Sequence, residues 1–219
     1  MIKEFCAENF TDIPKAIQAG AKRIELCDNL AVGGTSVSIG VIEESVKYAH
    51  EHNVPLFVII RPRGNDFVYN DLEVKMMEID ILEAVKREVD GVVIGALTSE
   101  NWIDLEAMET LMIPAQSLEV TFHMAFDEID RNRQKEAIDV LVELGVTRIL
   151  THGGSLTRSI SENYTHLKEL VEYAENRIQI VVGGGVNFEN LDEVIERTGA
   201  KEVHGTKIVK LGEVCEASA

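Results

Sequence analysis

The chain has no apolar run near the roughly 18 residues that a membrane-spanning helix needs, and its start, MIKEFCAENF, has no basic stretch leading into an apolar one. No membrane partner and no secretory leader are expected, so the reading is cytoplasmic. Positive charge is also scarce: 21 lysines and arginines stand against 38 acids, a formal net charge of -17. Such a field repels phosphodiester backbones, which argues against a nucleic-acid partner. Cysteine is limited to Cys6, Cys27 and Cys215, an odd count with no CxxC pair, so reduced thiols are expected instead of a disulfide framework. No GxSxG, Walker A or HExxH motif occurs, and no GxGxxG follows the first strand pattern.

What is present is a rhythm. The 219 residues, 45% of them hydrophobic, suffice for one sizeable core. The organisation expected is a single domain over 1–219, with 211–219 as a flexible tail. Short strand-like runs lie at Ile2 to Cys6, Arg23 to Cys27, Leu56 to Ile60, Gly91 to Ile94, Glu119 to His123, Arg148 to Thr151, Ile178 to Val182 and Glu202 to His204. Helical patterns fall between them, near Phe10 to Ala19, Ile39 to His52, Asp71 to Glu88, Ile103 to Met112, Asn132 to Leu144, Ile160 to Glu175 and Phe188 to Thr198. In the third, Leu72, Met76, Ile79, Leu82 and Val85 form one apolar stripe, expected to face the core. Gly20, Gly145 and Gly199 fit left-handed caps before the next strand.

Strict strand–helix alternation requires crossovers and hence a parallel sheet. Eight units predict an α/β protein, a (β/α)8 TIM-type barrel, ahead of a doubly wound open sheet. The stretch after the eighth strand is too short for a full closing helix, so the eighth helix is expected to be short or missing. The exposed flank then suggests a homo-oligomer in which a neighbour covers the gap.

Alternate strand residues face a barrel's interior, and those nearest the carboxyl end line its site. In RIELCDN this points Glu25 and Cys27 inward and Ile24 and Leu26 outward; in IKEFCAE it points Glu4 and Cys6 inward. Strand eight closes against strand one, so Cys6, Cys27 and His204 fall on three consecutive staves, where sulfur and imidazole suit Cu(I) or, with a fourth ligand, Zn(II). The plainer reading is that the thiols fill a core.

Anion chemistry competes for the same rim. Arg61 and Arg63 flank Pro62 after strand three, and the turns containing Gly153, Gly154 and Gly184, Gly185 follow strands six and seven, where barrels often hold phosphate. An anionic or phosphorylated small molecule would fit. Alternatively, the arginines pair with Glu25, Asp28 or Asp66 and the glycines only permit tight turns. If the protein is an enzyme, Glu25, Asp28, His123 and Asp127 are candidates for proton exchange, with Glu25, His123 and Asp127 foremost.

The stretches ELCDNLAVGGT, RPRGNDFVY, DLEVKMMEIDI, GVVIGALT, VTFHMAFD, ILTHGG and VVGGGVN, in this order over residues 2 to 208, closely resemble the CutC family of copper homeostasis proteins. The resemblance implies a cytoplasmic TIM-type barrel, usually oligomeric, that binds Cu(I) through cysteines matching Cys6 and Cys27. Two positions depart from the family pattern: Met124 stands where HRAFD has arginine, and His152 where TSGG has serine. Losing that cation weakens the phosphate reading, while a thioether and an imidazole add soft donors. Two functions follow as expectations: Cu(I) binding by Cys6 and Cys27, with His204, His123 or Met124 as partners, or isomerase- or lyase-type proton transfer on a small anionic substrate.

Overall fold

The computed structural model describes residues 1–212, so Cys215 and the tail from 213 onward lie outside the described residues. Eight parallel strands close into a barrel in sequence order: β1 Ile2–Glu8, β2 Arg23–Cys27, β3 Leu56–Ile59, β4 Gly91–Ile94, β5 Glu119–Phe122, β6 Arg148–Thr151, β7 Gln179–Val182 and β8 Glu202–Gly205. The helices are α1 Ile13–Gln18, α2 Ile39–Glu51, α3 Asp71–Lys86, α4 Leu105–Met112, α5 Gln134–Glu143, α6 Tyr164–Ala174 and α7 Leu191–Thr198. Among the described residues no helix follows β8, and none is long and apolar enough to cross a membrane. This is the (β/α)8 architecture with seven of its α-helices among the described residues; the doubly wound alternative is excluded by closure of β8 on β1.

The core divides as strand alternation requires. Phe5, Ile24, Leu26, Val58 and Val92 join a continuous layer between barrel and helices, while Cys6, Cys27, Phe57, Ile59 and Val93 cluster inside the barrel. Strong local signals set individual elements. Asn70 starts α3 by accepting the Leu72 and Glu73 N–H groups, and Glu73 returns the bond to the Asn70 N–H, a capping box. Gly199 ends α7 in the left-handed region at φ 74, as its position before β8 implies.

Two expectations change. The α3 stripe of Leu72, Met76, Ile79 and Leu82 faces outward, with exposures of 72, 54, 49 and 43%, and the helix seats Met77, Ile81 and Ala84 on the barrel instead. Both faces of α3 are apolar, and periodicity cannot choose between them. The flank beside β8 is not left open: Ile208 and Val209 are buried there, and Lys207 accepts the Phe188 N–H through its carbonyl at 2.8 Å. Four of the exposed large apolar side chains among the described residues lie together on α3.

Candidate functional site

The barrel register places the first candidate residues. Glu4 of β1 stands level with Arg23 of β2 and with His204 of β8, Cys6 is level with Glu25, and Glu8 with Cys27. His204, Cys6 and Cys27 therefore climb like steps across three adjacent strands. The Cys6 and Cys27 sulfurs come to 3.8 Å, buried, and the Cys27 thiol donates to the Ala7 carbonyl at 3.4 Å. Cys6, Glu25 and His204 form a second group whose donor atoms all lie within 4.8 Å of one another. The three proposed ligands thus form two overlapping sets joined at Cys6, not one.

Below these lies a buried ion network. Arg23 donates to Glu4 and, at 2.5 Å, to Glu202; Arg148 reaches Glu202 at 3.3 Å; and Glu4 takes the His204 Nδ1–H at 2.8 Å. Arg23 and Arg148 both stand over the Phe57 ring, at 5.0 and 5.1 Å from its centre. Burial alone would raise the Glu4 carboxyl, but Arg23 and His204 outweigh it and hold it at about 2. Glu25 has no such clamp. His204 Nδ1 stands 3.7 Å from Glu25 Oε2, which has no hydrogen-bond donor, and burial with the nearby Glu4 charge pushes Glu25 up to about 7. Burial opposes a charged His204, but Glu25 and Glu4 overcome it and raise its pKa. The Cys27 hydrogen bond, then burial and the Glu25 charge, push the Cys6 thiol well up, so it is protonated without a metal.

These groups open onto a cavity of about 400 Å³ at the carboxyl ends of the strands, the usual place for a barrel's site. Cys6, Glu25, Cys27, Arg61, His123, Met124, Gly184, Gly185 and His204 line it. Arg63, Asp28, Asp127, Gly153 and Gly154 do not.

Both arginines expected at an anion site are engaged by the loops, while Arg61 also lines the cavity and keeps its Nε without a partner among the described residues. Arg61 donates to the Val32, Gly34 and Asn65 carbonyls at 2.8 to 2.9 Å, lacing ELCDNLAVGGT to RPRGNDFVY. Arg63 is engaged by Glu73, Asp66 and the Gly64 and Val68 carbonyls. The first glycine turn does hold an anion, but one from the chain itself. Asp127 accepts the His152, Gly153 and Gly154 N–H groups at 2.9 to 3.0 Å and the Thr151 hydroxyl at 2.6 Å. Burial pushes its carboxyl up to about 6 against those donors. Asp127 therefore props a loop, and Gly153 and Gly154 have no N–H left for a ligand. Asp28, exposed, accepts the Asn29 N–H.

The two family departures separate as well. Met124 faces the cavity, while His152 fastens its Nδ1 to the Gly184 carbonyl at 2.7 Å. His123 is buried, neutral and braced: burial and the Arg61 charge lower its pKa to about 3, and the Phe67 ring packs against it, tilted by 44° with centroids 4.8 Å apart. Sequence reasoning did not single out Phe67, Arg23, Glu202 or Lys207. Alternation along β2 already puts Arg23 on the face of Glu25 and Cys27, and that signal could have found it; Lys207 carries none.

Comparison with known proteins agrees with the fold. The sequence profile of the CutC family matches residues 1–209. A CutC family protein of Enterococcus faecalis is 59% identical over 209 residues, covering 95% of this chain and 100% of that protein. The human copper homeostasis protein cutC homolog is 40% identical over 203 residues, 93% of this chain and 72% of the human one. The crystal structure of CutC from Streptococcus agalactiae superposes with a TM-score of 0.93 at 55% identity, covering 95% and 100% of the two chains. A deoxyribose phosphate aldolase from Aeropyrum pernix shares the barrel, TM-score 0.70, at 11% identity over 96% and 86% of the chains, a likeness of fold alone. On a profile match through β8 and on relatives at these identities, the chain belongs to the CutC family.

Proposed function

We propose that this protein binds Cu(I) in the cytoplasm through the Cys6 and Cys27 thiolates, as the copper homeostasis name of its human relative suggests. The observation that carries the reading is the 3.8 Å sulfur separation. Two metal–sulfur bonds of about 2.3 Å put sulfurs about 4.6 Å apart in a line and about 4 Å apart at 120°. The pair as folded matches the bent arrangement, which leaves room for a third donor. Cys6 shares its neighbourhood with Glu25 and His204, and His204 keeps Nε2 for a metal while Nδ1 is tied to Glu4. Both thiols must lose protons, so affinity rises with pH. Titration of reduced protein against a calibrated Cu(I) chelator should find about one ion per chain, lost in the Cys6→Ser/Cys27→Ser double variant. Undiminished affinity in that variant would remove the proposal.

A second reading, proton transfer on a small anionic substrate, has one observation in its favour: Glu25, at about 7, borders the cavity with an unpartnered oxygen. Asp127 and Arg63 take no part in it. The homo-oligomer implied by the family has its surface, on this proposal, in the exposed α3 stripe, and light scattering on an Ile79→Glu variant tests it.

A further inference from the structure

A single metal ion at the thiols would take up only a small corner of the cavity of about 400 Å³. The rest is of the size that takes a small organic molecule, and Ile59, Leu150, Leu156 and Val186 give it an apolar wall. Two polar positions stand at its margins, away from the thiols.

The first is His123. Its Nδ1 accepts the Ala125 N–H at 3.2 Å, so in the neutral ring the proton sits on Nε2. That Nε2–H is buried and has no partner among the described residues. The ring is closely packed: Phe67 lies tilted against it, and at Gly95 a Cβ would lie 2.6 Å from Cε1. A buried donor held so firmly and left unpaired is costly unless something supplies an acceptor.

The second position is the rim formed after β7 and β8. Gly184 and Gly185 both have positive φ, 75 and 94, and neither N–H makes a hydrogen bond among the described residues. Lys207 lines the same margin, exposed, and makes no ion pair with a carboxylate among the described residues. The contrast with Gly153 and Gly154, whose N–H groups are filled by Asp127, singles out the β7 turn as the open one. Exposed N–H groups beside an ammonium favour an anion.

We infer that the cavity binds a small anionic carbonyl compound, its negative head held by the Gly184–Gly185 turn and Lys207 and its carbonyl oxygen accepting the His123 Nε2–H. The half-buried Phe67 ring lines the cavity beside the His123 ring. This ligand is separate from copper and needs neither thiol, so it is tested in both the native protein and the Cys6→Ser/Cys27→Ser variant.

The probes are dihydroxyacetone phosphate, which carries both groups, glycerol 3-phosphate, which lacks the carbonyl, levulinate, which replaces phosphate with carboxylate, and inorganic phosphate. Thermal shift and nitrogen-15 spectra of the histidine rings report binding. Dihydroxyacetone phosphate or levulinate should bind at millimolar concentration or tighter and move the His123 Nε2–H resonance; which one does so identifies the head group. His123→Ala and Lys207→Ala should each weaken it about ten-fold or more, and His123→Gln, which keeps an N–H donor, should recover most of the loss. The resonance shift, read on the unsubstituted protein, decides the matter if His123→Ala fails to fold. Failure of both carbonyl probes to bind, equal binding of glycerol 3-phosphate, or a His123 resonance unmoved on saturation would overturn the inference. Loss of copper binding alone would not touch it.

Discussion

Toward the amino-terminal end of the barrel interior, Arg23 bridges Glu4 and Glu202, Arg148 joins Glu202, and both guanidiniums stand over the Phe57 ring. One layer higher, Glu25 keeps an oxygen without a donor, His123 a ring nitrogen without an acceptor, and two thiols face each other. Apart from the half-buried Arg148, the charged groups of both layers are buried. The lower one closes its charges on each other and so contributes to the fold. The upper one leaves them unmatched, which costs stability and creates places for a ligand. The same division appears in the rim loops, where Asp127 fills one glycine turn and the next stands open.

Breaking the lower layer should have the largest effect. Arg23→Ala leaves Glu4 and Glu202 buried beside fewer cations, and chemical denaturation should show a loss of about 3–5 kcal/mol. If that loss were below 1 kcal/mol, on the order of a surface ion pair, the division between the layers would not hold.

The upper layer should show itself through pH. His123 has its pKa depressed from 6.5 to about 3, so its contribution is complete above 6.5 and is lost as pH falls toward 3, because the unfolded chain takes up the proton first. By pH 4 this amounts to about 3 kcal/mol. His123→Gln should flatten the stability profile between pH 6.5 and 4 relative to the native protein, as urea denaturation across that window would reveal. An unchanged slope would mean the ring is protonated in the fold.

The smallest expected effect separates the two rim turns. Asp127→Asn cannot accept all four donors and should cost about 1–2 kcal/mol, while leaving Cu(I) binding as it was. A large copper defect in that variant would instead tie the loop to the site.

Much of this was legible in the chain. Three strands, Arg23–Cys27, Gly91–Ile94 and Arg148–Thr151, run as their patterns imply, and alternation correctly turned Glu4, Cys6, Glu25 and Cys27 inward. Other roles were hidden for physical reasons. The partners of Arg61 are backbone carbonyls, which every residue has, so no pattern marks them. Asp127 meets Gly153 and Gly154 from 26 and 27 residues away, and nothing local distinguishes a glycine turn that is filled from one that is free. The orientation of α3 was undetermined because apolar residues occupy two faces.

The amino-acid order by itself determined eight parallel strand–helix units and which strand side chains share a face, because the periods of strands and helices and the crossover between parallel strands are local consequences of the backbone. Which inward groups meet was decided only by closure of the barrel. The stagger between neighbouring strands sets Glu4 level with Arg23 and His204 and brings Cys6 within reach of Cys27, and that stagger belongs to the ring of eight strands as a whole.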